Sequence, residues 1–256
     1  MPRSFTYQAL TLRVKPSGES NREAWFLTAE EGVLRATVFG GPKSRLRARV
    51  APFHEGRLWI YHDPVRDSRK VSDFDVVSYR AGIRELYERA MAADAVAETI
   101  LCTHGGGGDW QTAAKLAAGI LDAINDADAP LCTRLGIYFL WRWAGALGVQ
   151  PDLSACASCA CEAAQDKPLW YTARSESLLC ENCLREQPAF SPPPAGLSPL
   201  HIGPGALRWL KETSSLPPAA LSRITLDTPS TAQAKALSTA VLAAALGRNL
   251  PTWEGI

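Results

Sequence analysis

For its first 80 residues the chain alternates apolar and polar side chains, and from Ile83 onward the apolar repeat lengthens to three and four residues. Alternation lines one face of a strand, whereas the longer repeat lines one face of a helix. A chain that changes period once, near residue 80, is constrained to a β module followed by an α module. Strands are predicted at 5–14, 24–29, 33–39, 57–62 and 71–79. The turn formers Pro16, Gly18, Gly32, Gly40, Gly41, Pro42 and Pro64 stand between them. Five short strands in so few residues fit a small closed barrel such as an OB-fold, and an SH3-like barrel would show nearly the same pattern.

Helices are predicted at 83–101, 110–124 and 128–148, with a break at Gly105 to Gly108. The third carries Leu135, Ile137, Tyr138, Phe139, Leu140, Trp141, Trp143 and Leu147, so it is apolar nearly all round and should be buried on most sides. Helical patterns return at 206–212, 219–224 and 231–246. The expected organisation is α+β: an N-terminal five-stranded OB-fold over 1–80, an α-helical domain from 81–150 and 190–256, and a cysteine-rich insert at 151–189.

That insert holds Cys156-Ala157-Ser158-Cys159 and, twenty residues later, Cys180-Glu181-Asn182-Cys183. Two C-x-x-C turns at such a separation read as a four-Cys zinc site. The two-residue gap lets both thiolates of one turn face the same ion, and four thiolates leave no open position, so the ion is expected to be structural. Residues 168–179 should form a hairpin over it, packed by Leu169, Tyr171 and Leu178. Cys161 lies close enough to replace Cys159 as a ligand. Cys102 and Cys132 fall on predicted helices and are expected to be buried.

A second signal follows the third strand. Lys43, Arg45, Arg47 and Arg49 are spaced by two after Gly40-Gly41-Pro42. In an extended segment all four project from one face, a geometry suited to a phosphate backbone. The segment is not a phosphate-binding P-loop, because Pro42 stands where a glycine must precede the lysine. Phe5, Tyr7, Trp25, Phe39, Phe53, Trp59, Tyr61, Phe74 and Tyr79 could fill the barrel or stack on bases, and the pattern does not sort them.

Charge agrees with a local anionic partner. The chain is nearly neutral at +1, yet residues 1–80 carry 14 Lys and Arg against 9 Asp and Glu, a net of +5. The remainder carries −4. No apolar run is long enough to span a bilayer, and residues 1–4 do not open a signal peptide, so the expected location is the cytoplasm. The four His residues are scattered. There is no H-E-x-x-H, no G-x-S-x-G elbow and no convincing two-metal carboxylate set. The expectation is a protein without catalytic residues.

Several segments together resemble the bacterial recombination mediator family RecO. They are Leu10 to Arg22 with its G-E-S-N-R turn, Gly32-Val33-Leu34-Arg35-Ala36, Pro42-Lys43-Ser44-Arg45-Leu46 followed by Pro52-Phe53, Phe139 to Leu153, the cysteine pairs, and 205–210. The resemblance covers most of the chain. It implies an OB-fold, a helical domain and a zinc knuckle. It also implies binding of single- and double-stranded DNA, annealing of complementary strands, contact with the C-terminal tail of the single-strand binding protein SSB, and, with RecR, loading of RecA on SSB-coated DNA in the nucleoid. By residue match, Lys43, Arg45 and Arg47 fall in the family's DNA-binding loop. Arg49, Arg13 and Lys15 could extend that surface, and Arg142, with Arg134, falls on the helix implied to receive the SSB tail. Phe39-Gly40 stands where Lys-Gly is typical, and 249–256 replaces a basic tail. A rival expectation is a protein-interaction adaptor that scaffolds SSB and RecR and binds DNA weakly.

Overall fold

The computed structural model describes residues 3–41, 44–163, 167–186 and 198–256. They form two compact units, 1–129 and 130–256. The first unit is a closed barrel of β1 (Ser4–Ser17), β2 (Asn21–Thr28), β3 (Gly32–Val38), β4 (Glu55–Asp63) and β5 (Ser68–Ser78), in the order β1-β2-β3-β5-β4. Each of the five strands lies where alternation predicts one. All pairings are antiparallel except β3 with β5, and this topology is the OB type.

The long first strand closes the barrel. Residues 4–10 pair with β4, and 9–17 pair with β2. A register shift between Thr11 and Arg13 bends the strand from one partner to the other, as bulges do at barrel corners. Inside, Tyr7, Ala24, Phe26, Leu34, Val38, Leu58, Ile60, Val71 and Phe74 form one buried cluster, and the rings of Phe26 and Phe74 meet edge to face at 6.0 Å.

Between β3 and β4 runs a short helix, α1 (Arg45–Arg49). After the barrel, a 3₁₀ turn at Ala81–Arg84 leads to α2 (Tyr87–Cys102) and α3 (Trp110–Asn125), which pack on β1 and β2 respectively. Compactness therefore groups these two helices with the barrel rather than with the helices that follow. Asp109 caps α3 by accepting from the Thr112 N–H, as Ser, Thr, Asp and Asn commonly do at this position.

The second unit is built around α4 (Ala129–Ala146), whose residues 135–141, Trp143 and Ala144 are all buried. Tyr138 donates to the Leu216 carbonyl at 2.6 Å, and Trp141 Nε1 donates to Ser214 Oγ at 3.1 Å. Two strands of the cysteine insert, β6 (Leu169–Thr172) and β7 (Ser177–Leu179), join β8 (Leu200–Ile202), which follows the insert, in a three-stranded sheet of order β7-β6-β8, with α5 (Glu181–Glu186) beside it. Leu169, Tyr171 and Leu178 are buried, as the hairpin prediction requires. Then come α6 (Pro204–Thr213) and α7 (Thr228–Leu246), which pack together, and α7 also packs on β8. No helix among the described residues is long and apolar enough to cross a membrane.

Candidate nucleic-acid interface and metal centre

The basic segment is not extended. Residues 45–49 are helical, and Lys43 lies outside the described residues. In a helix, residues two apart point to opposite sides, so the three arginines do not share one face. The reason is apolar. Leu46 and Val50, four apart, both pack against the barrel core, with Val50 fully buried. Anchoring that pair turns Arg45 and Arg47 outward, where both are exposed.

The cations of this region fall into two groups. Arg49 donates to Asp73 Oδ1 at 3.1 Å and to the Phe74 carbonyl at 3.4 Å. Arg35 is paired with Glu23 at 3.0 Å, and Arg69 with Glu31 at 3.1 Å. Among the described residues Arg45, Arg47, Arg22 and Lys70 form no ion pair. Arg22, the second residue of β2, instead donates a guanidinium N–H to the main-chain carbonyl of Arg47. Desolvation and the charge of Arg47 both lower its pKa. Arg22 closes the G-E-S-N-R turn, but the sequence pattern assigns neither it nor Lys70 to the DNA-binding surface. The pairings Arg22 with Val38 and Thr37 with Lys70 are what gather them at the end of β3.

Arg13 and Lys15 lie on β1. Arg13 stands opposite Trp25, and the Lys15 ammonium sits 5.9 Å above the Trp25 ring. The structure also sorts the aromatics. Tyr7, Phe53 and Phe74 are buried, whereas Phe5, Trp25, Trp59 and Tyr61 are half-buried. Phe39 is 45% exposed with Lys70 Nζ 5.3 Å over its ring, and Tyr79, also exposed, meets His54 edge on.

On α4, Arg142 is engaged internally. It donates to Tyr138 Oη at 2.9 Å and lies over the Tyr138 ring. Arg134 has a buried Nε without a hydrogen-bond partner among the described residues.

The cysteine pairs converge. The Sγ atoms of Cys156, Cys159, Cys180 and Cys183 all lie within 4.8 Å of one another. Zn–S bonds of about 2.3 Å would set the corners of a tetrahedron about 3.8 Å apart. The Cys159 and Cys180 sulfurs are 3.8 Å apart. Cys161, exposed, stays outside the group, and its carbonyl closes the first turn by accepting from the Cys156 N–H. Burial pushes Cys156 up, but main-chain N–H groups of Cys159, Cys180 and Ser158 bring it down to about 6. Cys183 is pushed up to about 12, chiefly by its hydrogen bond with Cys159. Four thiols this close cannot all ionise unaided, and a divalent cation is what allows it. The donor set can hold a metal ion and fits zinc.

Residues 1–80 match the family model described as recombination protein O N terminal, and residues 84–254 match that described as recombination protein O C terminal. The chain belongs to the RecO family. The DNA repair protein RecO of Heliobacterium modesticaldum is 29% identical over 228 residues, covering 87% of this chain and 78% of the relative. That of a Nocardioides species is 25% identical, covering 84% of this chain and 92% of the relative. That of a Synechococcus species is 24% identical over 190 residues. The two RecO family matches meet between residues 80 and 84, where the apolar period changes. RecO membership places the chain in DNA repair and recombination.

Proposed function

We propose that the chain is a non-catalytic recombination mediator of the cytoplasm and nucleoid. It binds single- and double-stranded DNA through the basic side of its barrel and anneals complementary strands. With RecR it helps load RecA on SSB-coated DNA. The observation that carries this reading is α1: two apolar side chains pin it to the barrel core while Arg45 and Arg47 face water with no carboxylate partner among the described residues. Unpaired surface arginines suit phosphate contacts, which bind without reading sequence and weaken steeply with salt. Annealing needs neutralised strand repulsion and accessible bases, not a general acid or nucleophile. Lys43, Arg49, Arg13 and Lys15 are proposed to widen the same surface, and Arg142 and Arg134 to meet the SSB tail. Cys156, Cys159, Cys180 and Cys183 are proposed to hold one structural zinc ion, which would tie the two turns of the insert together.

The test is fluorescence anisotropy with single-stranded and duplex oligonucleotides across a salt series. The wild type is expected to bind both. Arg45→Ala/Arg47→Ala is expected to lower affinity and to flatten the slope of log affinity against log salt by about 2. No binding at low salt would overturn the reading and favour the adaptor, which the net −4 of residues 81–256 supports. That alternative predicts that the arginine variant still captures RecR and the SSB tail.

A further inference from the structure

We infer that Arg22, Arg47, Phe39 and Lys70 form one subsite for single-stranded DNA, in which the two arginines hold a backbone phosphate and the Phe39 ring stacks on an unpaired base. The inference rests on the DNA-binding reading above and adds to it which residues tell a single strand from a duplex.

Four observations converge on this end of the barrel. Arg22 and Arg47 come from different elements, the start of β2 and α1, and are tied together through the bond from the Arg22 guanidinium to the Arg47 carbonyl. Two like charges held as neighbours repel, and among the described residues no carboxylate neutralises either one. Elsewhere on the barrel Arg35, Arg49 and Arg69 each have an acidic partner; the Arg22 and Arg47 pair has none among the described residues. An anion with several acceptor oxygens satisfies both forks at once. The lowered pKa of Arg22 has the same two origins, burial and the Arg47 charge.

The fourth observation is Phe39. It follows Val38, whose strand partner is Arg22, so the ring and the arginine pair belong to neighbouring positions. A phenyl ring left 45% exposed gives up burial that most Phe side chains obtain. Lys70, whose strand neighbour is Thr37, lies over that ring, adding a third positive charge without an acidic partner among the described residues. A cation beside an exposed ring is what a nucleotide requires: charge for its phosphate and a flat apolar face for its base. In a duplex the bases are already stacked on one another and cannot reach Phe39, whereas the phosphates remain available to the arginines. The subsite therefore discriminates through the ring and adds affinity through the charges.

These roles separate experimentally. Arg22→Gln should weaken binding to both single-stranded and duplex oligonucleotides and reduce the salt slope by about 1. Phe39→Ala should weaken single-strand binding by about tenfold, leave the salt slope unchanged and leave duplex binding within twofold. Phe39→Trp should restore single-strand affinity. Phe39 is exposed, so its variants keep the barrel folded even if Arg22→Gln loosens α1. If Phe39→Ala binds single strands like the wild type while Arg45→Ala/Arg47→Ala does not, the subsite is wrong and the DNA-binding reading stands. If the wild type binds neither DNA, both fall. Binding of an acidic peptide in preference to single-stranded DNA, lost in Arg22→Gln, would also overturn the assignment.

Discussion

A Cβ placed on Gly32 would stand 2.8 Å from Nε1 of Trp110, so the start of β3 and the first residue of α3 touch with room for no side chain. Gly32 also has a φ of 69°, a region that glycine enters without strain. Two independent costs thus oppose any larger residue. Gly32→Ala is expected to destabilise the chain by roughly 2–4 kcal/mol, from backbone strain plus overpacking. Urea unfolding measures it. Combining it with Trp110→Leu should recover part of the loss, and strict additivity of the two variants would show that the contact is not limiting.

Arg80 organises the end of the barrel. Its side chain is 2% exposed, and it reaches Asp122 at 2.7 Å, Glu55, and the Phe53 carbonyl at 2.9 Å. Replacing one member of a fully buried ion pair costs about 3–5 kcal/mol. Asp122 is 61% and Glu55 34% exposed, so water recovers part of this. Arg80→Met is expected to cost about 2 kcal/mol in denaturant unfolding. A change below the error of that measurement would mean that the network contributes nothing net.

His54 links stability to pH. It is buried, with Nδ1 2.8 Å from the Arg49 carbonyl and Nε2 facing Arg84, so the Nδ1–H tautomer fits the site. Desolvation lowers its pKa, the bond to the Arg49 carbonyl partly opposes this, and the charges of Arg84 and Arg80 lower it further. The unfolded chain therefore takes up a proton first as pH falls. This contribution to stability is complete above about pH 6.5 and is lost progressively below it, toward the lower folded value. His54→Gln should reduce the dependence of the melting temperature on pH between 7 and 5. An identical pH profile in the variant would exclude His54 as its source.

The cysteine cluster gives a stoichiometric prediction. Elemental analysis of the purified protein should find one zinc per chain. Cys180→Ser should lose the ion and lower the melting temperature, while Cys161→Ser should keep both. Retention of metal by Cys180→Ser, or its loss from Cys161→Ser, would reassign the ligands. Chelation should reproduce the Cys180→Ser shift in the wild type.

What the residue pattern reveals depends on how local the cause is. The five barrel strands, α3, α4 and the hairpin over the cysteines are each announced by a period long enough to read, and the metal ligands by a spacing that geometry restricts. Short elements are silent. Strand β8 has three residues and exists because Leu169 and Tyr171 of β6, about thirty residues earlier, pair with Ile202 and Leu200. The segment after α7 shows no repeat, yet Trp253 is buried within a 3₁₀ turn, and Lys235 donates to the main-chain oxygens of Glu254 and Ile256.

The basic segment separates the two levels most clearly. Its composition alone established that cations cluster between the third and fourth strands, because charge is written in the sequence one residue at a time. Its conformation was decided by the barrel: Leu46 and Val50 reach the core together only if residues 45–49 coil. Which arginines are neutralised was decided by the tertiary fold: strand register sets Glu23 beside Arg35, whereas the packing of α1 sets Arg47 beside Arg22. Periodicity and spacing are properties of neighbours along the chain. The pairing of charges across strands belongs to the closed barrel, and only its folding brings them within reach.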